Sequence, residues 1–183
     1  MTALTRLHGM IFAALERADW VLPTLARFLF AAVLAVYFWV SGLTKVGEGI
    51  FGIFQPPAGA YAQIFPKVMT EVGYDVSQLG IYHWTVVTAG TVAEFILPLL
   101  IIVGLMTRLA ALGMIVFVIV QSLTDLSGHD KWGDALVLGA WFDAPSGSLI
   151  MDQRALWVFL LLFLVVKGAG PLSFDRALAP HRP

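Results

Sequence analysis

Six side chains that could do chemistry stand in or against long apolar runs: Lys45, Glu94, Gln121, Asp125, Asp152 and Arg154. A lone charge in a bilayer costs at least a few kcal/mol, so such groups face the interior of a helix bundle and pair there. Glu94 is the clearest case, set in the almost wholly apolar stretch "TAGTVAEFILPLLIIVGLMTRLAAL", Thr88 to Leu112. Gly90 precedes it by one helical turn, and Ala89 precedes Ala93 by one. Small residues let helices approach closely in lipid, so Glu94 is expected to face a neighbouring helix. Its partner is expected to be Lys45 or Arg154. A carboxylate so placed can exchange protons with a ligand, and a nearby ammonium group can tune its pKa.

Further polar residues fall into step with these. Tyr37, Ser41, Thr44 and Lys45 form a stripe at helical spacing, and so do Gln121, Thr124 and Asp125, with His129 four residues on. The acids Glu94, Asp125 and Asp152 outnumber the bases Lys45 and Arg154 by one, so either one carboxyl is protonated or a further cation or donor completes the cluster. Asp125, His129 and Asp130 offer oxygen and nitrogen ligands for a metal, and Asp134 repeats the i, i+4 spacing from Asp130. Two readings stay open: a ligand or cofactor site, or ion pairs that fix the register of a bundle.

These residues need helices that cross a membrane to position them. Of the 183 residues, 59% are hydrophobic and 13% charged, with a mean hydropathy of +0.85. A soluble domain is about half apolar and about a quarter charged. Four runs approach the ~20 residues that span a bilayer, and spans are expected at 22–45, 84–106, 109–125 and 149–167. Counting ~1.5 Å per residue from the inner end of each span places Lys45 roughly 27 Å up and Glu94 roughly 21 Å. The same count puts Gln121 and Asp125 at roughly 20 and 26 Å, and Arg154 and Asp152 at roughly 20 and 22 Å. All four spans thus carry polar groups in the outer half at similar height. The fold class expected is all-α: an integral membrane four-helix bundle in a single domain, with two long outer loops.

Residues 1–20 carry Glu16, Arg17 and Asp19 and lack a small-residue cleavage site, unlike a signal peptide. Leu4, Leu7, Ile11 and Leu15 share a face, which predicts an amphipathic helix lying in the interface. Lysines and arginines divide seven to four between the two sides, with Arg6, Arg17, Arg27, Arg108, Lys167, Arg176 and Arg182 on the side of the termini, which predicts cytoplasmic termini. The outer loops, Val46 to His83 and Leu126 to Gly147, are rich in aromatics, proline and glycine and are expected to pack as caps. Trp20, Trp39, Trp84, Trp132, Trp141 and Trp157 suit an aromatic belt at the membrane interfaces. His8 and His181, near the termini, are expected in solvent. There is no cysteine, which excludes thiol–disulfide chemistry and thiolate metal ligation within the chain. A net charge of −1 gives no basic bias toward nucleic acid, and none is expected as a partner.

"SGLTK", Ser41 to Lys45, resembles the close of the first helix in DoxX-type membrane proteins. "VAEFILPLLIIVGLMTRLAAL" is similar to their second and third helices, with the glutamate, then Gly104, then a Thr-Arg turn. "GAGPLSFDRAL", Gly168 to Leu178, is similar to their ending. Lys45, Glu94, Arg108 and Asp175 match the family pattern, and His129 lies near a histidine that members often carry. The loop Leu126 to Gly147 is longer than the family's. The resemblance implies a four-helix bundle in the bacterial cytoplasmic membrane. It also implies a link to quinone-dependent redox systems, since the family takes its name from a small subunit of a thiosulfate:quinone oxidoreductase or terminal quinol oxidase.

Three functions are compatible with these residues. The first is a quinone-linked redox subunit, in which the outer polar cluster holds a quinone head and Glu94 or Asp125 exchanges its protons. No haem, flavin or iron–sulfur motif is visible, so electrons would come from a protein partner or a soluble donor. The second is a membrane anchor whose outer loops dock a periplasmic protein. The third is a small transporter or metal-handling protein, which would need homo-oligomers because four helices make a narrow protomer.

Overall fold

The structure is a computed structural model that describes residues 3–18 and 20–179. The expectations for Asp19, His181 and Arg182, and for the Leu15 and Arg17 side chains, lie outside the described residues. Among those described, every regular element is helical. Four helices are long and apolar enough to cross a membrane: Val21–Leu43, Ile81–Val103, Thr107–Gly128 and Leu149–Lys167. A separate helix, Ala3–Arg17, precedes them, with Leu4, Leu7, Met10, Ile11 and Phe12 exposed.

The spans bury a shared stripe and turn the rest outward. Phe30, Leu34 and Phe38 of the first span meet Ile101 of the second, Met114 and Val118 of the third, and Leu161 and Leu164 of the fourth. Val33, Val36, Val116, Phe159 and Val166 remain exposed, as lipid-facing side chains must. Small residues set the closest approaches. A Cβ on Gly42 would come 2.8 Å from the Phe95 ring, and one on Gly113 would come 3.2 Å from Leu97.

The second span begins and ends three residues earlier than the apolar pattern predicts. Gly104, at φ +72°, closes it in the left-handed conformation, and the Gly104 and Leu105 amides both donate to the Leu100 carbonyl at 2.9 Å. Hydropathy misses this stop because Leu105 and Met106 continue the apolar run through the turn. Three of the four spans contain a widened π-helical turn: Ala31–Ala35 in the first, Thr124–Gly128 ending the third and Leu149–Arg154 opening the fourth. Such turns recur at functional sites. The second span carries Pro98, which has no N–H to donate to the Glu94 carbonyl four residues earlier.

At the end that bears the hairpin between spans two and three, Arg27 is buried rather than being a surface marker of sidedness. Its guanidinium donates to Ile101 O at 2.8 Å and to Ile102 O, two of the carbonyls left over at the end of the second span. It also reaches Ala169 O at 3.1 Å and Leu172 O at 2.5 Å, beyond the fourth. Asp175 completes the knot by accepting from the Met106 and Thr107 amides, at 2.7 and 2.9 Å, at the start of the third span. Burial pushes the Asp175 carboxyl up, but hydrogen bonds from Thr107 and Met106 and the charge of Arg27 outweigh it and hold it below the usual carboxylate range.

The first outer loop folds into two short helices, Ala58–Ile64 and Pro66–Glu71. Their Ala60, Tyr61 and Met69 bury against Val87 of the second span. The second outer loop is irregular but tied down. Leu149, Ile150 and Met151 donate backbone bonds of 2.9–3.0 Å to Leu136, Val137 and Leu138, and the Trp141 indole donates to Met151 O at 2.8 Å.

Candidate functional site

Lys45 stands just past the end of the first span, and its Nζ lies 3.1 Å from both Glu94 carboxylate oxygens. Ser41 ties the two together. Its hydroxyl donates to Glu94 Oε1 at 2.9 Å, while the ammonium donates to Ser41 O and Oγ at 3.0 and 2.7 Å. Lys45 and Glu94 are 6 and 2% exposed. Of the two partners the sequence offers Glu94, the structure selects Lys45.

The second ion pair joins the third and fourth spans. Arg154 Nη1 lies 2.7 Å from Asp125 Oδ2 and donates to Ser122 Oγ at 3.0 Å. Both pairs join residues whose backbone heights differ by roughly 6 Å on the sequence count. Side chains on a helix lean toward its N-terminus, and neighbouring spans run antiparallel. Lys45 and Asp125 therefore lean toward the hairpin end while Glu94 and Arg154 lean away from it, and the step closes.

The polar stripe of the first span divides. Ser41 and Lys45 turn to Glu94, whereas Tyr37 accepts a 2.8 Å hydrogen bond from Gln121 Nε2 and lies 5.4 Å, centroid to centroid, from the Trp157 ring. Thr44 bonds back to Ser41 O at 2.7 Å. Asp152 does not join the group. Its Oδ2 accepts from the Ser148 amide at 2.8 Å, and it lines a different cavity beneath the second outer loop. The surplus carboxylate expected from the count is thus spent on a helix start, and two one-to-one pairs remain.

A cavity of 230 Å³ lies between the two pairs, lined by Ser41, Lys45, Glu94, Gln121, Asp125 and His129. Gly90 faces Ile64 of the first outer loop, whose Cδ1 would be in ordinary contact, at 4.0 Å, with an added Cβ. Gln63 and Ile64 close the cavity from that loop. No pattern in the sequence pointed to them, because their place follows from how the loop folds back. Val120, exposed on the lipid-facing side, also contributes to the wall. Gln121 has a buried Oε1 without a hydrogen-bond partner among the described residues.

The three candidate metal ligands are spread apart. His129 Nε2 lies 3.1 Å from Gln63 O, Asp125 pairs with Arg154, and Asp130 is exposed with φ +56°. Among the described residues no three His, Asp or Glu side chains come together as a metal site. In the second outer loop, hydrogen bonds from Lys131 and from the Leu136 amide hold Asp134 below the usual carboxylate range.

Among curated proteins and among solved structures, none matches the chain. A family model does: DoxX, over residues 25–124, from the first span through the third and including the Lys45–Glu94 pair. With more than half of its length matched and four membrane-spanning helices, the chain is a member of the DoxX family.

Proposed function

We propose that this protein is a subunit of a redox system in the bacterial cytoplasmic membrane, binding the head group of a quinone or a similar lipophilic ligand in the outer-half cavity. Both termini would lie in the cytoplasm, where the excess of lysine and arginine belongs. The observation that carries the reading is the cavity itself, a recess in an apolar bundle whose wall holds the buried Lys45–Glu94 pair together with Ser41, Gln121 and Asp125. A quinone head offers two carbonyl oxygens as acceptors; Gln121 has a second amide N–H beside the one given to Tyr37, and Lys45 would exchange a Ser41 acceptor for a ring oxygen. Reduction of the ring takes up two protons, and Asp125 and Glu94 are carboxylates that can relay them. The electrons would come from a protein partner. Val120 on the wall places lipid beside the cavity, where an isoprenoid tail would leave.

A second reading is favoured by the outer surface. Ile50 and Phe142 are 95 and 105% exposed, so the outer loops present apolar side chains suited to docking a periplasmic protein. In that reading the ion pairs are architecture.

Gentle purification from native membranes followed by mass spectrometry tests both. A near-stoichiometric quinone that co-purifies with the parent and is lost from folded Glu94→Gln and Asp125→Asn supports the first. A preparation free of quinone that retains a periplasmic protein overturns it in favour of the second.

A further inference from the structure

The opposite end of the bundle holds an open surface recess of a different character, with a volume of 420 Å³. Arg108 at the start of the third span, Lys167 at the end of the fourth and Arg176 in the terminal helix Phe174–Leu178 all line it. The one carboxylate on its wall, Asp175, is committed: its two oxygens accept from the Met106 and Thr107 amides. The guanidinium groups of Arg108 and Arg176 form no ion pair among the described residues.

The backbone builds this concavity. Gly168 and Gly170, at φ +83° and +78°, turn the chain back from the fourth span. A Cβ on Gly168 would come 3.3 Å from Arg108 Nε, so a side chain there would press on the guanidinium. Buried Arg27 lies beneath, holding the Ala169 and Leu172 carbonyls on either side of the turn. Exposed Leu109 and Val166, beside Arg108 and Lys167, mark where lipid chains meet this end. Three cations gathered at the headgroup level, next to lipid-facing side chains, suit an anion that sits at that level.

We propose that this cavity binds a phosphate group, held by Arg108 and Arg176 with Lys167 beside them. Guanidinium forks match phosphate oxygens two at a time. The group can come from an anionic phospholipid headgroup or from free phosphate, which share this chemistry. Basic recesses between spans are a recurrent way of holding anionic headgroups.

Full-length protein in a neutral detergent is titrated with phosphatidylglycerol, with phosphatidylcholine and with inorganic phosphate, and binding is read by native mass spectrometry and by the shift in melting temperature. Phosphatidylglycerol is expected to bind and raise the melting temperature while phosphatidylcholine does not. At about a fivefold effect per cation near an anionic headgroup, Arg108→Gln with Arg176→Gln should weaken binding about 25-fold. Both side chains are exposed, so the variant should melt like the parent without ligand. Arg108→Lys alone, which keeps the charge but loses the fork, should bind with an affinity between those of the parent and Arg108→Gln. Binding of inorganic phosphate without phosphatidylglycerol would keep the site and assign it a soluble ligand. Equal binding of the two lipids with no effect of phosphate, or phosphatidylglycerol affinity unchanged in the double variant, overturns the proposal.

Discussion

Replacing Lys45 with methionine and Glu94 with glutamine, singly and together, measures what the buried pair contributes. Removing one member of a buried ion pair costs about 3–5 kcal/mol, because the remaining charge is left uncompensated. Ser41 sets the position within that range. In Glu94→Gln the ammonium keeps both Ser41 acceptors, and in Lys45→Met the carboxylate keeps the Ser41 hydroxyl. Each single variant is therefore expected near the lower limit, about 3 kcal/mol. The double variant removes both charges and leaves a neutral amide beside a flexible thioether. Exchanging a whole buried pair for neutral groups of similar volume is close to neutral, so the double variant should lie within about 1 kcal/mol of the parent. The cycle then returns a coupling of about 5 kcal/mol, the two single losses less that of the double variant. Unfolding in mixed micelles of mild and denaturing detergent, followed by circular dichroism, supplies the four stabilities. Single variants within about 0.5 kcal/mol of the parent, or additive losses in the double, would show that the two charges are solvated and uncoupled.

Two further outcomes follow from the knot at the hairpin end. Asp175→Asn should cost about 1 kcal/mol at neutral pH, as the loss of a helix-start acceptor does. The folded pKa of Asp175 is depressed, so its contribution is present above the ordinary aspartate range and lost as pH falls through the lower folded value. Melting temperature against pH should therefore fall less steeply on the acid side in Asp175→Asn, and parallel curves would remove this role. Gly104→Ala forces a side chain into the left-handed region, about 1–3 kcal/mol by itself. Its Cβ would also lie 2.6 Å from Ser173 Cβ and 2.7 Å from Arg27 Cζ. A melting temperature equal to that of the parent would mean the knot is loose.

Much of the bundle could be read from residue types alone. Long apolar runs can be satisfied in lipid only as helices, so four spans followed from length and hydropathy. Glu94 had to face a neighbour because nothing in lipid can solvate it. Counting along each span also put Lys45, Glu94, Gln121, Asp125 and Arg154 at similar height, because rise per residue is nearly constant.

Tertiary structure decided which of them meet. A count of heights carries an error of about one turn, comparable to the length of a lysine or arginine side chain, so Lys45 and Arg154 were equal candidates for Glu94. Packing made the choice: the first span lies against the second and the fourth against the third, so Lys45 meets Glu94 and Arg154 meets Asp125. Asp152 looked like a member of the cluster, but the chain's turn at Ser148 claims its carboxylate. Arg27 read as a surface charge until the hairpin and the tail folded over it and offered four carbonyls. Gln63 and Ile64 carry no signal of their own and reach the cavity only because the first outer loop folds back onto the second span. Hydropathy and helical period are properties of one segment, whereas each of these outcomes depends on contacts between segments far apart in the chain.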